Sequence, residues 1–182
     1  MSEALVLIDL QNDYFPGGTM ELVDADRAVE QAARLAESFR AKGLPVLHIQ
    51  HIAKRPGATF FLPGTAGAEI HDAVRPKTGE RVVVKHFPNG FRETTLLDEL
   101  RSAGATKIAF AGMMTHMCVD TTVRAAADLG FACSLAQDGC ATRALQFGSE
   151  RIEADQVQLA YLAALNGSFA SVKPARELCT LL

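Results

Sequence analysis

The chain has 182 residues, 48% of them hydrophobic, and a formal net charge of −3, enough to bury one sizeable core, so a single domain over residues 1–182 is expected. Charges are mixed along the sequence and no basic stripe exists to neutralise phosphates, which argues against nucleic acid as a partner. No apolar run approaches the roughly 20 residues of a membrane helix and no basic, apolar leader precedes the first strand, so no membrane partner is expected and the location is read as cytoplasmic.

In chain order, Ala4-Leu5-Val6-Leu7-Ile8 reads as a buried strand that ends abruptly in Asp9, Gln11, Asn12 and Asp13. Apolar residues at Val29, Ala32, Ala33, Leu35, Ala36 and Phe39 give residues 24–42 a helical period, closed by Gly43. A second strand covers 44–50. Residues 51–79 form a long irregular excursion with glycines, prolines and Phe60-Phe61, and with a short helix expected near 66–74. Long loops in compact domains are usually functional, which makes this one a lid or an interface arm.

A third strand, Arg81-Val82-Val83-Val84, terminates in Lys85, and a helix follows near 94–103. The fourth strand, 107–111, leads through Gly112 to Cys118 and an Ala-rich helix stopped by Gly130. The fifth strand is expected at 131–135, a long helix at 148–165, a sixth strand at 169–172 and a last helix after Pro174. Six strands alternating with helices imply an α/β protein with a parallel sheet covered on both faces.

Chemistry concentrates at three strand ends. Open parallel sheets bind ligands beyond the carboxyl ends of their strands, and here those ends carry an acid (Asp9), a base (Lys85) and a thiol (Cys118). Singly, each has an ordinary reading: a turn residue, a solvent lysine, a small buried hydrophobe. Together they suggest a nucleophile with its proton acceptor and an electrostatic partner. A thiol at a helix start faces unpaired N–H groups and the positive end of the dipole, which favours the thiolate. Asp9 is placed to take the thiol proton and later return it to a leaving amine, while Lys85 balances the charge. Backbone N–H groups around Met114 and Cys118 are the natural oxyanion donors. Cys133, Cys140 and Cys179 lack such a setting, and the absence of a CxxC pair favours free thiols.

Ile8-Asp9-Leu10-Gln11-Asn12-Asp13-Tyr14-Phe15 with Gly17-Gly18, Lys85 with Asn89-Gly90-Phe91, Gly112-Met113-Met114-Thr115-His116-Met117-Cys118, and Asp138-Gly139-Cys140-Ala141-Thr142 occur in an order that resembles the isochorismatase-like cysteine hydrolases, which include nicotinamidases and related amidases. The resemblance implies a three-layer α/β/α sandwich with sheet order 3-2-1-4-5-6, a cis Met113–Met114 peptide that aims an oxyanion donor, and a homo-oligomer acting on a small-molecule substrate. It implies hydrolysis of a small amide or related C–N bond through a Cys118 thioester. A vinyl-ether hydrolase of the isochorismatase type and a non-catalytic binding module on the same fold are the alternatives. In that order strand three lies two positions from strand one, roughly 10 Å, so Lys85 must lean across strand two.

No cofactor is expected. Nicotinamidases carry an Asp and His metal cluster after strand two, and Gln50 stands where the family's aspartate would fall. His48 and His51, at an odd offset, face opposite sides of a strand, so one at most joins the site; no metal site is expected. Gln11, Phe15, His51, Phe87, Asn89 and Phe91 are the candidate pocket residues, with loop bracing the favoured reading of Gln11 and Asn89. His86 is expected to face away from Lys85, and His116 is weaker than Asp9 as a base.

Overall fold

The computed structural model describes residues 2–181. The apolar run at the start becomes β1 (Ser2–Ile8), the centre of a parallel sheet and buried on both faces, as a near-continuous hydrophobic strand requires. Its side chains alternate. Leu5 and Leu7 pack into one core layer with α1 (Ala25–Ala41) and α5 (Ala175–Leu181), while Ala4, Val6 and Ile8 pack into the other. That second layer is covered by α2 (Leu96–Ser102), α3 (Asp120–Asp128) and α4 (Ala154–Leu165). The result is the expected three-layer sandwich.

The other sheet strands are β2 (Val46–His51), β3 (Arg81–Lys85), β4 (Ala105–Met113), β5 (Ala132–Ala141) and β8 (Ser171–Lys173), and the order is β3-β2-β1-β4-β5-β8. This is the anticipated 3-2-1-4-5-6 with the last strand in sixth place. All five pairings are parallel. The chain works outward from β1 through β2 to β3, then returns to the other side of β1 as β4. The reversal opens a crevice between the ends of β1 and β4, where such sheets place their ligands.

Three expectations are corrected. Residues 148–165 are not one helix: β6 (Leu145–Phe147) and β7 (Glu150–Ile152) form a hairpin first, and α4 starts only at Ala154. Gly148, at φ +61°, makes the hairpin turn. The short helix expected near 66–74 is two 3₁₀ turns, Ala66–Ala68 and Asp72–Val74. β5 runs six residues past the expected 131–135 strand, shifting register against β4 between Phe110 and Gly112.

The long excursion is pinned by the polar residues that follow β1. Asp13 accepts from the Phe61 N–H at 2.6 Å and from the Thr19 hydroxyl at 2.9 Å, and Asn12 donates to the Ala66 carbonyl. Phe61, fully buried, thereby becomes a wedge against Tyr14.

Candidate active site

Asp9, Lys85 and Cys118 converge. Asp9 follows β1 with φ +50°, its N–H donating to the Ile49 carbonyl. Lys85 closes β3 and leans across β2 as the strand order demands. Its Nζ lies 2.7 Å from Asp9 Oδ2 and donates to Cys118 Sγ at 3.1 Å. Asp9 and Lys85 are wholly buried, and Cys118 nearly so. The Met113–Met114 peptide is cis.

Cys118 lies in a π-helical turn, Thr115–Val119, that runs into α3, rather than in the first turn of an α-helix. The expectation of a thiolate held by a helix N-terminus is corrected with it. Burial, and next the Asp9 carboxylate, push the Cys118 thiol well above the usual thiol range, and the opposing pull of Lys85 is smaller. The resting sulfur is a thiol. For Lys85, burial works against the charge, but Asp9 and Cys118 outweigh it and hold the ammonium above its ordinary range.

A third acceptor completes the ammonium's shell. His51 Nδ1 is 2.9 Å from Lys85 Nζ. Burial first, and then the Lys85 charge, lower His51 to about 4, so the ring is neutral. One ligand atom each from Asp9, His51 and Cys118 lie within 4.8 Å of one another, near enough to hold a metal ion. The Lys85 ammonium already occupies that position and bonds all three, so the donor set does not suit a cation. Gln50, in place of the metal aspartate, donates to the Ala68 carbonyl.

Cys118 opens on a cavity of about 570 Å³, walled by Tyr14, His51, Phe60, Phe87, Met114 and Met117. Of the expected pocket residues, His51 and Phe87 line it, and Gln11, Phe15, Asn89 and Phe91 do not. Gln11 is fully buried as a clamp: its Oε1 accepts from the His51 N–H at 2.7 Å and its Nε2 donates to the His51 and Ala68 carbonyls. Phe15 stacks on His71 at 4.0 Å, Asn89 caps the Phe91 N–H, and Phe91 packs against the core layer that holds α3. Each is used up by a loop that must satisfy its own backbone or cover apolar surface.

His86 bonds the Ile52 carbonyl and lines the cavity, with no hydrogen bond to Lys85 among the described residues. His116 is engaged with the Thr142 hydroxyl and packs edge-on to Tyr161. His48 points to the other side of β2, onto Glu80 at 2.8 Å. Sequence reasoning missed Tyr14, which is 1% exposed, carries a hydroxyl and lines the cavity. Burial, with the Asp9 carboxylate nearby, raises the pKa of that hydroxyl and keeps it protonated. The signal was its place in the motif after β1, where an aromatic reads as packing.

The doubly covered parallel sheet thus carries a buried acid, ammonium and thiol together at its switch point. The Isochorismatase domain model matches residues 3–166, and the chain belongs to the isochorismatase family of hydrolases. An uncharacterized isochorismatase family protein of Bacillus subtilis is 47% identical over 95% of this chain and 96% of its own length. A crystal structure described as an isochorismatase hydrolase from Oleispira antarctica superposes with a TM-score of 0.95 at 46% identity, covering 98% of this chain and 96% of that one. A streptothricin hydrolase of Streptomyces noursei is 39% identical over 77% of this chain and 54% of its own.

Proposed function

We propose that this protein is a cysteine-dependent hydrolase of a small amide or related C–N bond, with Cys118 as nucleophile, Asp9 as general base and then acid, and Lys85 as electrostatic partner. The observation that carries the reading is the single buried ammonium that meets both Asp9 and Cys118 beneath a largely apolar cavity, whose lining also includes Lys54, Arg55 and Glu93. A free thiol is a weak nucleophile until its proton has somewhere to go. Asp9 lies within reach to take it as the sulfur attacks the carbonyl carbon, and Lys85 stabilises the sulfur's developing charge at 3.1 Å.

The carbonyl electrons move onto oxygen, for which the backbone N–H groups of the Met114–Cys118 turn are the donors. Collapse of this intermediate breaks the C–N bond, and Asp9 passes its proton to the leaving nitrogen. Water then gives a proton to Asp9 and attacks the thioester. The acid departs, and the sulfur recovers its proton from Asp9. The sum is amide plus water giving acid plus amine.

The raised thiol suits this sequence, because a neutral sulfhydryl avoids two adjacent anions in a dry site until substrate arrives. Phe60, Phe87 and Met117 suit a flat apolar acyl group of modest size. The test is a panel of small primary amides, ureido acids and lactams, read by product mass and by an acyl adduct mapped to Cys118. Turnover that disappears in Asp9→Asn and Lys85→Ala supports the assignment; turnover that survives either change near its original rate contradicts it.

A further inference from the structure

The Lys85 ammonium meets three groups: it is ion-paired with Asp9 Oδ2 at 2.7 Å and hydrogen-bonded to Cys118 Sγ at 3.1 Å and His51 Nδ1 at 2.9 Å. The first two belong to the proposed chemistry. The third does not, and three features show that it is built. His51 and Lys85 are register partners in the parallel β2/β3 pair, so their side chains leave the same face. The Gln11 side chain grips both backbone groups of His51, its oxygen accepting from the N–H and its nitrogen donating to the carbonyl, which continues the strand ladder where β2 would otherwise fray. Phe61 packs against the imidazole at 5.8 Å between centroids.

We propose that His51 is a positioning residue: as the third acceptor of the Lys85 ammonium, it fixes the direction in which that ammonium meets the Cys118 sulfur. Without it, the flexible four-carbon stem of Lys85 is free to rotate its third N–H toward the cavity and loosen the other two bonds. The role demands a neutral ring with a bare Nδ1, since an ammonium cannot accept a hydrogen bond. The charged and titratable groups facing the ring are Asp9, Lys85, His86 and Arg55, with Cys118 beyond Lys85. With Nδ1 taken, the proton sits on Nε2, which has no protein partner among the described residues.

The inference rests on Cys118 as nucleophile, but its test needs no amide substrate. The alkylation rate of Cys118 by iodoacetamide is followed by intact mass and peptide mapping from pH 6 to 10, in the wild type and in three variants. His51→Asn places an amide oxygen close to where Nδ1 stands. His51→Gln carries its amide one bond further out, and His51→Leu keeps the bulk without an acceptor.

The expected result is alkylation slowed about tenfold throughout pH 6 to 10 in His51→Leu and His51→Gln, because a thiol held above that range loses about tenfold in thiolate fraction for each unit it is raised. His51→Asn stays within about threefold of the wild type. Long-range ¹⁵N correlation spectra of wild-type protein with labelled histidine should show an unprotonated Nδ1 and a protonated Nε2. The proposal is overturned if His51→Leu reacts with the wild-type rate and pH profile, if His51→Asn is no better than His51→Leu, or if Nδ1 carries the proton. Should His51→Leu fail to fold, the tautomer and the Asn–Gln comparison decide. A wild-type Cys118 that stays unmodified even at pH 10 would contradict the proposed nucleophile instead, and the tautomer would still judge His51.

Discussion

Lys85 reaches Asp9 across an intervening strand, closing to 2.7 Å with both side chains at 0% exposure. Two charges at that depth have lost their hydration and are held by each other, the ammonium also by its hydrogen bonds to Cys118 and His51. Removing one partner strands the other. Lys85→Met is therefore expected to cost about 3–5 kcal/mol in urea unfolding. The Asp9→Asn/Lys85→Met double variant should lose clearly less than the sum of the two single changes. Additive losses would show that the two charges do not stabilise each other.

Buried thiols make the fold sensitive to base. Cys140 is pushed up to about 12 and Cys133 to about 11 by burial, and Cys118 higher still by burial and Asp9. In each case the folded pKa lies above the unfolded value near 8.5, so the contribution is complete below pH 8.5 and is lost as pH rises from there toward the folded values. Stability should fall from pH 8.5 to 10, and Cys140→Ala should flatten that slope by up to about 1.4 kcal/mol per pH unit. Denaturant titrations at half-unit intervals check this, and an unchanged slope would contradict the buried thiol.

At acid pH the sensitive group is Glu80, which receives Arg40 at 2.7 Å, His48 at 2.8 Å and the Lys77 N–H at 2.9 Å. Burial raises its pKa, but these donors together win and hold it at about 2. A lowered carboxylate contributes stability above its unfolded pKa and loses it as pH falls through the folded one. Glu80→Gln should cost about 1–3 kcal/mol at pH 7, less than the full shift because the group is partly exposed. The gap from wild type should close between pH 4 and 2 in chemical unfolding curves.

Gly112 is the register partner of Ile8 at the end of the β1/β4 pair beside the site. It has φ +149°, and an added Cβ would lie 2.2 Å from the Ile8 carbonyl oxygen, immediately before Asp9. Gly112→Ala should cost about 3 kcal/mol or more by thermal and urea unfolding. It should also slow Cys118 alkylation, because the two strand ends that carry Asp9 and Cys118 are forced apart.

The fold and the Asp9, Lys85 and Cys118 cluster were legible because each side chain closes or follows an apolar strand, and the strand order places those ends at one crevice. The rest depended on tertiary contacts that no period encodes. Gln11 and Asn89 look like ligand groups until the backbone atoms they satisfy are in view. Tyr14 looks like packing until it is seen to line the cavity beside Cys118. The protonation of Cys118 was misread because helix position is local, whereas the burial that overrules it is assembled from distant segments. The hairpin of β6 and β7 was hidden in a segment that continues into a helix.

The central claim is that catalysis passes through sulfur 118. Its most direct test is kcat/KM of Cys118→Ala against wild type on the first amide turned over, with circular dichroism to show that the fold is kept. A loss of at least about 10³-fold is the predicted result. Retention of activity within about tenfold of wild type would contradict the account.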